Sequence, residues 1–248
     1  TCAYGSSRSK GVQAEKCDEQ RVFCASPSAK NRPPVAVRNK LGAAGFSRAL
    51  ARLTPVVGGG ACYLAGGSAI GWHLHHRRSN DLDLFSNSDR LLLGSLSRRL
   101  TRTLPEAEVV SRTEVMLRLR LGRVPIDIVR YPYPLLEPPG PGPEGFPVAS
   151  IRDLAAMKMA TIAGRGLRRD FWDLHEILRR DLTIVAAADA YRQRFGLAES
   201  ELYHLTRSLT WFEDAEKEET YPAGLTPARW TAIKSYFRRT APALLEPE

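Results

Sequence analysis

Two aspartates, Asp81 and Asp83, stand one residue apart in the apolar stretch 81–85. On a β-strand side chains alternate between faces, so both carboxylates would project from one face while Leu82 and Leu84 point into the core. Carboxylates held side by side repel each other, and a divalent cation removes that repulsion. Mg²⁺ prefers oxygen ligands and leaves room for substrate phosphates. The pair therefore predicts a metal site for phosphoryl or nucleotidyl transfer.

A third carboxylate, Asp127, lies in the stretch 124–129 between Ile126 and Ile128. A charged group inside an apolar strand needs a partner. We expect a neighbouring strand to bring Asp127 to the same metal, where its carboxylate could also take a proton from an attacking hydroxyl. The alternative is that Asp127 is a surface residue that faces solvent and has no part in the site.

A glycine turn precedes the aspartates, with twelve residues between Ser68 and Asp81. Gly66 and Gly67 permit close approach of the backbone, and the N–H groups of the helix that follows are free to bind phosphate. The hydroxyl of Ser68 would add one more donor. We interpret the turn as a phosphate cradle; an ordinary strand-to-helix turn is the alternative.

Charged residues in the second half of the chain could complete a nucleotide pocket. Lys158 offers a compact positive charge for a triphosphate. Asp170 and Asp173 are three residues apart on one helix face and could orient it. Three arginines could bind phosphates or an RNA backbone, or form ion pairs on a helix surface: Arg165, Arg168 and Arg169.

These motifs together resemble a known family. The Gly-Gly-Ser turn with its spacing to Asp81 and Asp83 is similar to the signature of the polymerase-β-like minimal nucleotidyltransferase fold. Segments 64–70 and 76–85 resemble, more closely, the AbiEii/AbiGii nucleotidyltransferase toxins of toxin–antitoxin and abortive phage infection systems. A second block agrees in spacing, with Lys158, a Gly-Arg-Gly bend at 164–166, and Arg169, Asp170 and Asp173.

The resemblance spans about residues 60–220 and carries expectations of its own. It implies an α/β fold, a polymerase-β-like mixed sheet with a C-terminal helical domain. It implies a nucleoside triphosphate (NTP) substrate, Mg²⁺, an RNA acceptor such as tRNA and a separately encoded antitoxin. It supports roles for Lys158 and Asp170 in shaping the nucleotide pocket.

Periodicity along the chain predicts the elements that position these residues. Helices are expected over 43–53, 69–76, 91–104, 150–163, 167–180, 184–219 and 226–240, and strands over 81–85, 115–121 and 124–129. Gly122-Arg123 is expected to turn the last two strands into a hairpin. We divide the chain into a disordered tail (1–45), a nucleotidyltransferase core (46–131), a linker (132–147) with seven prolines, and a helical domain (148–248).

Composition is that of a globular protein, with 43% hydrophobic and 25% charged residues. The net charge of +9 favours a polyanionic partner, although genome bias toward arginine explains it equally well. Residues 1–45 hold eight Lys and Arg against three Asp and Glu. No apolar run is long enough to span a bilayer, no signal peptide is visible, and the four cysteines form no disulfide or zinc pattern. We expect a cytoplasmic protein.

The histidines near the glycine turn and the aromatic and acidic residues near position 211 have structural interpretations. His73, His75 and His76 lack partner ligands for zinc and are expected to be exposed or to contact phosphate. Trp211 is expected to pack in the core, and the acidic run 213–219 to be a solvated helix face.

Two other functions remain open from sequence. The same fold could transfer a nucleotide to a small molecule such as an antibiotic. The chain could also be a non-catalytic module that binds nucleotide or antitoxin.

Overall fold

A computed structural model describes residues 43–57 and 61–246 of the 248 in the chain. The tail predicted to be disordered lies outside the described residues, except for 43–45 at the start of the first helix. Within the described ranges, no helix combines the length and apolar character needed to cross a bilayer.

A mixed sheet forms the first half of the described chain. Its strands are β1 (Tyr63–Ala65), β2 (Leu82–Ser86), β3 (Ala107–Arg112), β4 (Met116–Leu121), β5 (Val124–Arg130), β6 (Gly140–Pro141) and β7 (Pro147–Val148). Their spatial order is β3-β4-β5-β2-β1-β7-β6. β2 runs parallel to β5 and β1 parallel to β7, and the other neighbours are antiparallel. The predicted mixed sheet is thus confirmed.

Helices surround this sheet and make up the second half. They are α1 (Ala43–Val57), α2 (Gly66–Leu74), α3 (Leu93–Thr103), α4 (Ile151–Gly164), α5 (Arg168–Arg180), α6 (Ile184–Phe195), α7 (Glu201–Thr210), α8 (Glu213–Glu216) and α9 (Pro227–Thr240). Two short 3-10 helices add Pro143–Gly145 and Ala241–Leu245.

Alternation along the central strands separates the two faces of the sheet. Leu82 and Leu84 on β2, and Ile126 and Ile128 on β5, are almost fully buried. On this apolar face α3 contacts β3 and β4, and α1 contacts β5. The intervening residues of the same strands are half-buried and face the other side. The packed face thus fixes which side chains reach the open one.

Capping residues set where several helices of the second half begin. Ser150 caps α4 as expected from sequence, because its Oγ accepts from the Asp153 N–H at 3.0 Å. The Asp153 carboxylate accepts from the Ser150 hydroxyl at 2.8 Å rather than from the Ser150 backbone N–H. Thr183 and Thr226 accept as Ser150 does at the starts of α6 and α9. α4 packs against α2, α6 and α7, so it joins the glycine-turn helix to the helical half.

Two segments differ from the sequence interpretation. Strand β3 was not predicted, since five of its six residues are exposed and its burial pattern does not alternate. The proline-rich segment 132–147 contributes β6 and the first residue of β7, and Phe146 within it is fully buried. The proposed division into domains stays a prediction.

Candidate active site

One row of polar side chains crosses the open face of the sheet. Asp83 on β2 is paired in register with Asp127 on β5, and Asp127 is paired with Arg118 on β4. Residues paired in register project from the same face. The structure therefore brings Asp83 and Asp127 side by side, and Asp81 stands just before β2 on the same side, where Ser79 Oγ donates to its Oδ1 at 3.0 Å.

The three carboxylates act on one another electrostatically. The pKa of Asp83 is raised to about 8, first by burial and then by the charges of Asp81 and Asp127. Lys158 and Arg169 oppose the shift without cancelling it. The ionised form of Asp83 is thus disfavoured by burial and by two neighbouring carboxylates.

Asp127 has a close partner of its own. Arg118 donates from Nε to Asp127 Oδ1 at 2.9 Å and from Nη2 to Oδ2 at 3.1 Å. This two-point ion pair occupies both oxygens of the carboxylate. Among the described residues, no three His, Cys, Asp or Glu side chains stand ready to hold a metal ion.

The donor set nevertheless suits Mg²⁺. All three groups are carboxylates, the oxygen donors that this ion prefers. Burial and, after it, the repulsion from Asp81 and Asp127 raise the pKa of Asp83, and a divalent cation would remove that repulsion. Asp127 would join the coordination by releasing one oxygen from Arg118.

The glycine turn makes room for protein side chains. Gly66 has a φ of +62° that favours glycine, and a Cβ there would overlap Oδ2 of Asp83. A Cβ on Gly67 would lie 2.5 Å from Nη2 of Arg77. Ser68 Oγ donates to the Ala65 carbonyl at 3.1 Å, so its hydroxyl already has a partner within the turn.

Lys158 lies in a buried ionic network. Its Nζ contacts Asp170 Oδ1 at 2.8 Å and Asp173 Oδ2 at 2.9 Å. Burial lowers the pKa of Lys158, but the charges of both aspartates outweigh it, so the pKa lies above its ordinary value. Lys158 is therefore held as a cation close enough to act on Asp83.

Asp173 is the most connected member of this network. Besides Lys158 it accepts from Arg77 at 2.5 and 2.7 Å, and its Oδ1 lies 2.8 Å from His76 Nε2. Its side chain is fully buried. Burial alone would raise the pKa of Asp173, but the charges of Lys158 and Arg77 and the hydrogen bonds with Arg77 and His76 hold it well below the ordinary range. The network fixes the segment before β2 against α5.

Arg169 and Asp170 lie at the start of α5, and Arg169 is close enough to act on Asp81 and Asp83. Burial lowers the pKa of Arg169, and the charges of Asp170, Asp81 and Asp83 raise it above its ordinary value. Asp170 Oδ2 also accepts from the Leu167 N–H at 3.3 Å, so it caps the helix. Arg169 thus places a positive charge beside the acidic cluster.

Of the two interpretations of Arg168, the structure favours the ion pair, in a buried form: its Nη2 lies 3.4 Å from Glu216 Oε2, and its Nη1 donates to the Glu218 carbonyl at 2.6 Å. Two sequence expectations are wrong. The side chain of His76 is fully buried rather than exposed. Trp211 is 55% exposed, and its neighbour Phe212 is the residue that packs in the core. The spacing of residues along a helix does not distinguish a buried from an exposed side chain at these positions.

Functional candidates missed from sequence are Arg77 and Arg118. The predicted hairpin turn at Gly122-Arg123 carried a signal for Arg118, because a two-residue turn pairs Leu121 with Val124 and hence Arg118 with Asp127. No local pattern indicated Arg77, whose partner Asp173 is 96 residues away.

Comparisons with known proteins show the family of the chain. The family model described as "Nucleotidyl transferase AbiEii toxin, Type IV TA system" matches residues 48–247. An uncharacterized protein of Aquifex aeolicus (strain VF5) is 31% identical over 200 residues, which are 78% of this chain and 94% of that protein.

Two solved structures match this chain at low sequence identity, and the one with the higher TM-score shares its fold. MenT4, a nucleotidyltransferase toxin from Mycobacterium tuberculosis H37Rv, matches with a TM-score of 0.56 and 14% identity, over 82% of this chain and 84% of that one. JHP933 from Helicobacter pylori matches with a TM-score of 0.45 and 16% identity, over 80% and 94% of the two chains. The predicted fold class is confirmed. By the extent of the family match and of the Aquifex relative, this chain belongs to the AbiEii nucleotidyltransferase toxin family and is a nucleotidyltransferase.

Proposed function

We propose that this toxin nucleotidyltransferase transfers a nucleotide from an NTP to a hydroxyl group of an RNA acceptor, with tRNA as the first candidate, in a reaction that depends on Mg²⁺. The observation that carries the proposal is the pairing of Asp83 with Asp127 on one open sheet face, with Asp81 beside them. No ordinary structural role calls for three mutually repelling carboxylates.

Asp81, Asp83 and Asp127 would hold the metal. Bound there, Mg²⁺ would stabilise negative charge on the attacking and leaving oxygens. The raised pKa of Asp83 supports this assignment, because burial and the like charges of Asp81 and Asp127 disfavour its ionised form and a bound cation would favour it.

The remaining proposed residues bind the nucleotide. Gly66, Gly67 and the N–H of Ser68 stand at the start of α2, where backbone N–H groups favour phosphate. Lys158 and Arg169 supply positive charge beside Asp83. Asp170 orients Lys158 through their 2.8 Å contact. Together these groups would neutralise the triphosphate.

The reaction itself is a displacement at phosphorus. The acceptor hydroxyl oxygen forms a bond to the α-phosphorus, and the bond from that phosphorus to the bridging oxygen of pyrophosphate breaks. Asp127 takes the proton of the attacking hydroxyl, and pyrophosphate leaves with the bonding electron pair. Mutual orientation of the reactants would contribute much of the rate.

Arginines of the hairpin and of α3 are candidate contacts for a polyanionic acceptor. Arg118 and Arg120 project from the open face of β4, where they pair with Asp127 and Glu108. On the opposite side of the hairpin, the guanidinium groups of Arg98 and Arg112 converge over Gly94, at 4.0 and 3.6 Å from the position its Cβ would take. Neither forms an ion pair with an acid in the described part of the chain. We call these two residues the Arg98–Arg112 pair.

Family membership supports two further points. A toxin of a toxin–antitoxin system has a cognate antitoxin, and we propose such a protein as a partner. NTP and RNA are cytoplasmic molecules, which agrees with the expected cytoplasmic location.

The test is to incubate purified protein with each labelled NTP, Mg²⁺ and total RNA. We expect label in RNA, loss of labelling in EDTA, and no labelling by Asp83→Ala. Label on a small amine in place of RNA would establish the small-molecule alternative. Tight NTP binding without any turnover would establish the non-catalytic one.

A further inference from the structure

The space above the glycine turn is occupied by a side chain. Nη2 of Arg77 lies 2.5 Å, and its Cζ 3.4 Å, from the point where a Cβ on Gly67 would stand. Gly67 is the second residue of α2, in the first turn of backbone N–H groups. Any phosphate that approached this turn would therefore meet the Arg77 guanidinium directly.

Arg77 is held rigidly in this position. Nε and Nη2 donate to the two oxygens of Asp173 at 2.5 and 2.7 Å, and Nη1 donates to the Arg78 carbonyl at 3.2 Å. The side chain is only 9% exposed. A guanidinium has five N–H donors, and these contacts use three of them, so two are left for a ligand.

The charges around Arg77 explain why it remains a cation. Burial lowers its pKa, but the hydrogen bond and charge of Asp173, followed by the charges of Asp170 and Asp81, raise the pKa above its ordinary value. The group thus carries a full positive charge between the glycine turn and the carboxylate cluster. A fixed, buried cation with unused donors is suited to a planar two-point contact with phosphate oxygens.

We propose that Arg77 is a phosphate-binding residue for the polyphosphate of the donor nucleotide, held in place by Asp173. This inference rests on the proposed function, because it assigns Arg77 to the same nucleotide site. The missing Cβ of Gly67 leaves the space that the Arg77 guanidinium occupies, so a phosphate bound at the backbone N–H groups of α2 would also contact Arg77.

The competing explanation is that Arg77 only ties the segment before β2 to α5. The two explanations differ in what a substitution changes. A packing defect weakens binding of every part of the nucleotide along with folding. Loss of a phosphate contact weakens polyphosphate binding and leaves nucleoside binding as it was.

The experiment measures binding by calorimetry, in Mg²⁺, of an NTP, of inorganic tripolyphosphate and of the matching nucleoside. The variants are Arg77→Gln and Arg77→Lys. Arg78→Gln is the matched control, because Arg78 is the exposed neighbour and only its backbone carbonyl contacts Arg77. Thermal unfolding of each variant reports folding.

We expect Arg77→Gln to weaken tripolyphosphate and NTP binding by roughly 10- to 100-fold, as for loss of a charged hydrogen bond. Arg77→Lys keeps the charge without the planar fork and should give an intermediate loss. Arg78→Gln should match the native protein, and nucleoside binding should be unchanged throughout.

Other outcomes overturn the inference. Tripolyphosphate binding by Arg77→Gln equal to that of the native protein would assign Arg77 to packing alone, as would a matching loss for nucleoside. If the native protein binds neither NTP nor tripolyphosphate, the proposed function fails at its first step. That result differs from equal binding by the native protein and the Arg77→Gln variant, which overturns only the role of Arg77.

Discussion

Asp83 and Asp127 are register partners on the parallel strands β2 and β5, although 43 residues separate them in sequence. The Leu and Ile residues on either side of each are packed on the apolar face, so both carboxylates project from the open face. Burial and the like charges of Asp81 and Asp127 raise the pKa of Asp83 to about 8. The fold thus holds Asp83 where its ionised form is electrostatically unfavourable, and this supports assigning the active site there.

The first prediction concerns this pair and nucleotidyl transfer. Asp83→Asn should lower the rate by roughly 1000-fold, since a bound metal contributes several kcal/mol to such a reaction and each 1.36 kcal/mol is a factor of ten. Glu108→Gln is a suitable control, because Glu108 is an exposed acid on β3 that pairs with Arg120. Single-turnover assays on labelled RNA measure both. A variant at position 83 with native rate would remove Asp83 from catalysis.

The second prediction concerns pH and folding without metal. The pKa of Asp83 is about 8 in the folded protein against an ordinary 3.8, so the folded state binds this proton more tightly than the unfolded chain does. The stabilising contribution is complete below the lower value and is lost as pH rises toward the higher one. Asp83→Asn should therefore be more stable than the native protein near the upper end of this window.

Thermal unfolding in EDTA across that pH window measures the difference. The native curve should fall more steeply with pH than the Asp83→Asn curve. Adding Mg²⁺ near the upper pH should stabilise the native protein more than the variant. Parallel curves for the two proteins would contradict the raised pKa.

The third prediction separates backbone strain from a clash. Gly66 and Gly122 have φ values of +62° and +60°, but a Cβ meets Asp83 at the first and nothing within 4 Å at the second. Gly122→Ala should cost about 1–2 kcal/mol of stability for its left-handed backbone and keep activity. Gly66→Ala should cost more and abolish activity by displacing Asp83. Urea unfolding and the transfer assay test both, and equal behaviour of the two variants would argue against the close contact with Asp83.

The fourth prediction compares the two aspartates of α5. Asp173 accepts from Arg77, His76 and Lys158, whereas Asp170 pairs with Lys158. Asp173→Asn should lower the free energy of unfolding by about 3–5 kcal/mol, as for a broken buried ion pair. Asp170→Asn should lower the free energy of unfolding by less, because Lys158 would still be paired with Asp173. Urea denaturation gives both values; a larger loss for Asp170→Asn would mean that the network is organised around the other aspartate.

The fifth prediction tests the Arg98–Arg112 pair as an RNA contact. Each arginine that neutralises a phosphate contributes about one unit to the slope of log affinity against log salt. Replacing both with Gln should weaken RNA binding and reduce that slope by about two. Arg239→Gln, an exposed arginine on α9, should leave the slope unchanged. Fluorescence anisotropy over a salt series measures it, and an unchanged slope for the double variant would exclude this pair from the RNA surface.

The sequence by itself determined the features that depend on neighbouring residues. Alternation around Leu82 and Leu84 put Asp81 and Asp83 on one side of a strand, because the period of a strand is fixed by backbone geometry. The Ser150 cap and the hairpin at Gly122-Arg123 followed from local hydrogen bonding and turn geometry in the same way.

Only the tertiary structure decided what those residues meet. The pairing of Asp83 with Asp127 depends on β2 and β5 lying parallel, and no local pattern specifies the register of strands that are not joined by a turn. The Arg77–Asp173 contact joins residues 96 apart. Gly67 shows the difference most directly: the sequence predicted a phosphate cradle, and the tertiary structure places the Arg77 guanidinium, held by Asp173 of α5, against it. Contacts of this kind arise from the burial of distant apolar faces, which brings charged groups together without leaving a periodic signal in the chain.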